Sequence, residues 1–112
     1  MNEQTTNSLG TEILSKAKVT LVFTGYGFLT VTENAVIWNK SASSYIAFGL
    51  AAVATNDHVY LPLNCISKVG TYTYFPGGGL VLTTTEGRIY KIAFKKKKDF
   101  TVAYEYLSNA VK

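Results

Sequence analysis

The sequence predicts a small, mainly β domain: about seven antiparallel strands in a closed or nearly closed barrel, with a C-terminal helix plugging one end. Short runs rich in Val, Ile, Thr and aromatic residues alternate with turn-forming residues along most of the chain. Within the hairpin from Gly79 to Phe94, Tyr90, Ile92 and Phe94 share one face and Lys91 takes the other, across a Glu86-Gly87 turn. The period then changes. Phe100, Ala103, Tyr104, Leu107 and Val111 form the i, i+3, i+4, i+7, i+11 stripe of a helix lying on a core, with Asp99 placed to cap its start.

In order along the chain, residues 1–11 read as a flexible arm and residues 12–112 as one domain. Ile13 to Phe23 is a long first strand, with Lys16 and Lys18 on one face and Ala17, Val19 and Leu21 on the other. Gly25-Tyr26-Gly27 reads as a turn or bulge before a strand at Phe28 to Thr32. Glu33-Asn34 supplies a tight turn, because Asn tolerates positive φ, and Ala35 to Asn39 follows as a third strand. The uncharged stretch Tyr45 to Ala54 fits either one short helix or a compact apolar loop. Val59 to Leu63 is the fourth strand, with Pro62 suited to an edge or a bulge, and Ile66 to Tyr74 is the fifth. Pro76 to Gly79 reads as a connection into the final hairpin. The expected core is Leu29, Val31, Val36, Trp38, Leu61, Leu63, Ile66, Leu82, Ile92, Phe94 and Leu107.

A length of 112 residues suits one domain, and 47% hydrophobic content is ample for its core. Only 16% of residues are charged, so some apolar surface is expected at an interface. A single cysteine, Cys65, excludes an internal disulfide and reads as a small buried packing residue. The polar N-terminus lacks the basic-then-apolar order of a secretory leader. The longest apolar run falls well short of the ~20 residues a membrane-spanning helix needs. The expectation is a soluble, cytoplasmic protein, with a peripheral place on the inner membrane face as an alternative.

Catalytic chemistry is thin. The lone His58 sits in an expected loop beside Asp57, and no His, Cys or carboxylate set has metal-ligand spacing. Gly25-Tyr26-Gly27 lacks the third glycine of a dinucleotide fingerprint, and no Lys-Ser or Lys-Thr follows Gly77 to Gly79. The chain reads as non-enzymatic and free of cofactor or metal. Basic residues interleaved with aromatics, as a base-stacking sheet needs, are also missing, which argues against nucleic acid.

The net charge of +4 is unevenly placed: Arg88, Lys91, Lys95, Lys96, Lys97 and Lys98 put six cations in eleven residues with no acid among them. One reading is a solvated loop that discourages edge pairing; the other is a docking patch for anionic surfaces.

Gly27-Phe28-Leu29-Thr30-Val31-Thr32 followed by Val36-Ile37-Trp38 resembles the second hairpin of GRAM domains and bacterial pleckstrin-homology-like domains. Leu61-Pro62-Leu63 with Ile66 and Val69 is similar to their hydrophobic-Pro-Leu segment, and Leu80 to Phe94 to their last hairpin. The resemblance covers about residues 12–111. It implies a PH-like barrel of two near-orthogonal antiparallel sheets capped by one C-terminal helix. The chain departs from lipid-binding members in its first loop, Phe23 to Gly27, which carries no cation.

The expected function is a non-catalytic binding module. One partner class is protein, a second copy or another chain, met through a sheet edge or through Tyr45, Ile46, Phe48, Leu50 and Val53. The other is an anionic membrane surface met through the basic cluster.

Overall fold

The computed structural model of the chain describes residues 10–42 and 57–111. These form strands β1 (Glu12–Leu21), β2 (Gly25–Thr32), β3 (Ala35–Lys40), β4 (His58–Pro62), β5 (Ile66–Tyr72), β6 (Gly78–Thr84) and β7 (Ile89–Phe94), then helix α1 (Lys97–Ala110). All seven strands join one antiparallel sheet in the order β4-β3-β2-β1-β7-β6-β5. Two meanders, β1 to β4 and β5 to β7, meet at its centre, where Val19, Thr20 and Leu21 pair with Phe94, Ala93 and Ile92.

The expected barrel closure and the two near-orthogonal sheets are not what the strands form. The sheet is single and open, with β4 and β5 as its two edges. It is nonetheless strongly bent. A flat sheet of this order would place its edges roughly 29 Å apart at ~4.8 Å per strand. Yet Pro62 and Ile66, the adjoining ends of those edge strands, are joined only by the 3₁₀ turn Leu63–Cys65. Four residue steps reach at most ~14 Å, so the sheet must curl. Leu63 N–H donates to Asn34 O and Thr85 N–H to Cys65 O, tying this corner to the β2–β3 turn on one side and the β6–β7 hairpin on the other. The edges meet only at that corner, and Pro62, which has no N–H to continue a ladder, ends β4 there.

The inner face carries the core. Ala17, Val19 and Leu21 alternate inward from β1, Leu29 and Val31 from β2, Val36 and Trp38 from β3, Leu80 and Leu82 from β6, and Ile92 and Phe94 from β7. Of the expected core residues only Leu63 is half-exposed, because it lies in the 3₁₀ turn rather than in β4. Helix α1 seats Ala103 and Leu107, both fully buried, on this face. Phe100 meets Phe94 edge-to-face at 5.8 Å and stacks on Tyr104 at 5.9 Å.

Local details differ from the sequence reading. Gly25 to Gly27 lie within β2, and the turn is Val22 to Thr24, with Phe23 in the left-handed region at φ 68°. Gly27 is required there by close approach, since a Cβ would run into the Trp38 indole and the Asn39 carbonyl. Asn34 does not use positive φ. Instead the Thr32 hydroxyl accepts hydrogen bonds from Asn34 N–H at 3.2 Å and Ala35 N–H at 3.1 Å, which builds the turn from a side chain. The helix begins earlier than Asp99, which lies inside its first turn; Lys96 occupies the cap position without a side-chain bond. Cys65 is half-buried rather than buried. His58 opens β4, its ring Nδ1 2.9 Å from Asn39 Oδ1, rather than standing in a loop.

Candidate binding surfaces

Strand register decides where the charges go, and it divides the basic run of the sequence. Arg88 precedes β7 at the hairpin turn, and its guanidinium donates to the Tyr90 hydroxyl at 3.4 Å, a bond that raises its already high pKa. Tyr90 belongs to the core-facing series with Ile92 and Phe94, whereas Lys91 alternates to the outer face. Lys95 follows the far end of β7, Lys96 caps α1, and Lys97 and Lys98 lie in its first turn; all six cations are exposed. At ~3.3 Å per strand residue, Arg88 and Lys95 stand about 23 Å apart. The run is therefore three separate placements: a turn, an outer face and a helix start.

The outer face of β5, β6, β7 and β1 gathers a different set. Lys91 and Lys95 extend from β7, Lys18 lies opposite Lys95 on β1, and Lys68 lies two strands from Ile89 in the row Lys68–Thr83–Ile89. Lys16 joins them at a bulge in β1, in left-handed conformation, its N–H bonded to the Thr30 hydroxyl at 3.2 Å. No acidic residue occurs from Lys16 to Thr32 or from His58 to Thr85. Lys91 Nζ stands 5.8 Å from the centroid of the Tyr72 ring, a cation–π contact across the face. Tyr72 lies over Gly79, whose missing Cβ makes room for the ring. Burial, with Tyr74 as a smaller cause, holds the Tyr72 hydroxyl above its ordinary pKa. The sequence places Lys16 and Lys18 on one face of the first strand but does not join them, or Lys68, to the basic run, because they are distant from it in the chain. The usable signal is the absence of acids from the two stretches that carry them, 16–32 and 58–85.

One rim of this face is apolar. Phe23 is 96% exposed and Ile89 59%, and with Val22 and Lys91 they line a cleft of about 230 Å³. Val22 N–H donates to Lys91 O and Thr24 N–H to Leu21 O, which fixes the turn that presents Phe23.

Edge strand β5 offers a second surface. Its partner on one side is β6, and among the described residues nothing pairs with the other side. At its C-terminal end a cleft of about 370 Å³ lies between the 71–78 segment and α1, with Tyr74, Pro76, Gly78, Lys97 and Phe100 on its walls. Phe75, beside it, is 89% exposed.

Tyr45, Ile46, Phe48, Leu50 and Val53 lie outside the described residues. Among the described residues no helix is long and apolar enough to cross a membrane, and no three His, Cys, Asp or Glu side chains stand together as metal ligands. A scan against protein-family models finds no match, and a search of curated proteins finds none.

Proposed function

We propose that this chain is a non-catalytic binding module that receives an extended segment of a protein partner along β5. The observation that carries the reading is the open edge: a seven-residue strand with one side unpaired among the described residues. Unpaired strand edges present a ready row of N–H and C=O groups, and strand addition is a recurring way of using them. Side chains of an added strand would alternate, one set toward Lys68 and the outer face, the other toward the α1 side. The positive side chains of Lys68 and Lys97, with no acid from His58 to Thr85, favour an acidic partner segment. The cleft beside Phe100 and Pro76 favours an apolar residue at its end.

The strand order, the bend at the Leu63–Cys65 corner and the terminal helix support kinship with GRAM and bacterial pleckstrin-homology-like domains, in which such a sheet folds on itself. Cys65, the single cysteine, forms no disulfide within the chain, and a chain that does not rely on disulfides suits a cytoplasmic setting.

Selection of peptides from a random library against the immobilised protein, followed by amide-shift mapping of the selected peptides, tests the reading. Extended, acid-containing peptides that perturb β5 and residues 73–78 support it. Selected peptides that leave β5 unperturbed overturn it.

A further inference from the structure

We infer that the outer face of β5, β6, β7 and β1 is a second docking surface, and that its partner is an anionic lipid bilayer. Charge complementarity and the apolar rim together carry this. Lys18, Lys68, Lys91 and Lys95 share one face by strand register, and no acid occurs from Lys16 to Thr32, from His58 to Thr85 or from Gly87 to Lys98. An extended surface of exposed lysines without arginine forks attracts anionic headgroups as point charges, without selecting among them. Its field reaches only about a Debye length, ~8 Å at physiological salt, so the face must lie against the bilayer to act.

The rim gives the direction of contact. Phe23 is held outward by a left-handed backbone (φ 68°), a conformation bulky residues rarely adopt, and backbone bonds on either side fix the turn. Its ring is almost wholly exposed and stands next to exposed Ile89, with Lys91 lining the same cleft. Two large apolar side chains beside a lysine match the bilayer boundary, where apolar groups enter and the ammonium stays at headgroup level. A single-stranded nucleic acid fits less well. The central aromatic of this face, Tyr72, is half-buried against Gly79 with Lys91 Nζ 5.8 Å from its centroid, which leaves less of its ring for a base to stack on.

The surface excludes the helix-start lysines, Lys97 and Lys98, and this separates it from a general attraction of the whole basic run. It shares Lys68 with the β5 edge, so the test rests on Lys18, Lys91, Lys95 and Phe23, which the strand-addition reading does not use, and the two proposals fail separately.

Co-sedimentation with vesicles of phosphatidylcholine alone, and of phosphatidylcholine mixed with phosphatidylserine, provides the test at low and high salt. Binding should require phosphatidylserine and weaken with salt. Lys18→Gln with Lys91→Gln and Lys95→Gln should lower it by about fivefold per lysine, and Phe23→Ser by about tenfold. Lys97→Gln with Lys98→Gln should change it less than any one outer-face substitution. Far-ultraviolet circular dichroism identifies any variant that fails to fold; Ile89→Thr serves as the second rim variant. Equal binding to both vesicles, or equal losses from the helix-start and outer-face variants, overturns the proposal. So does displacement from vesicles by a short single-stranded RNA at lower concentration than the lipid, which would assign the face to nucleic acid. A fall in solution mass on Phe23→Ser without loss of vesicle binding would assign the rim to a second copy, and likewise overturns it.

Discussion

The Tyr106 hydroxyl donates a 2.8 Å hydrogen bond to the backbone carbonyl of Glu33, joining the last turns of α1 to the β2–β3 turn across 73 positions of sequence. Glu33 also clips the start of β1: its N–H donates to Thr11 O at 2.9 Å, and its carboxylate accepts from Thr11 N–H at 2.7 Å. The bond from Thr11 holds the Glu33 carboxyl below its ordinary pKa. One turn thus fastens three elements, and the helix is anchored at this end by a polar contact as well as by Leu107.

Tyr106→Phe removes the donor and leaves the ring in place. It should cost about 0.5–1.5 kcal/mol, the usual net contribution of one such bond. Urea unfolding of the two proteins measures it, and the larger local effect should be faster amide exchange at residues 108–111. An unchanged midpoint would mean that the helix end is held by packing alone.

Gly27→Ala should be far worse than Gly70→Ala. At Gly27 a Cβ collides with the Trp38 ring and the Asn39 carbonyl, whereas at Gly70 the nearest atom is an ordinary 4.0 Å away on Val81. Overpacking of this kind costs roughly 1–3 kcal/mol or more, and the alanine at position 70 should be near neutral. Thermal midpoints of both variants decide it; equal midpoints would contradict the close strand–indole contact.

Leu82 is fully buried between β5 and β7. Leu82→Ala should destabilise by about 2–5 kcal/mol, the range for truncating a buried leucine. Denaturant unfolding reads this directly, and a loss below about 1 kcal/mol would place the residue outside a packed core.

Tyr72 gives the pH dependence. Its hydroxyl oxygen is enclosed without a hydrogen-bond partner among the described residues, and burial raises its pKa above the ordinary 10.0. Below 10.0 the group is protonated folded and unfolded, so its contribution is fully present. As pH climbs from 10.0 through the raised folded value, the unfolded chain releases the proton first and stability falls. Denaturation midpoints should stay level at neutral pH and drop above about pH 10. Tyr72→Phe should shrink that drop and be neutral or slightly stabilising at neutral pH, since it removes an unpaired hydroxyl. A midpoint drop of the same size in the variant would assign the effect to other groups.

Much of this fold was legible in the sequence, for a specific reason. Where one strand face is buried, alternation fixes register, and Leu29, Val31, Val36, Trp38, Ile92 and Phe94 all turn inward as their spacing requires. The helix was equally legible, because Phe100, Ala103, Tyr104 and Leu107 repeat at helical spacing. Closure was not. Whether β4 and β5 pair depends on how they leave the Leu63–Cys65 turn, and no local pattern encodes that direction. The β2–β3 turn misled because the Thr32 hydroxyl does the work assigned to Asn34. The placement of the basic run was not legible, because nearness in sequence is not nearness on a sheet: Arg88 bonds the Tyr90 hydroxyl beside the hairpin turn, Lys91 lies on the outer face, and Lys18 comes beside Lys95.

Native-state amide hydrogen exchange of residues 66–72 reads the open edge of β5. In an antiparallel edge strand alternate N–H groups point to the neighbour and to solvent. An alternating pattern is expected along β5, slow amides bonded to β6 and fast ones facing outward, while Val19–Leu21 of β1 and Ile92–Phe94 of β7, paired on both sides at the sheet centre, are slow throughout. Uniformly slow exchange along β5 in the isolated protein would mean that the edge is already covered or closed against β4, and that no partner strand can add there.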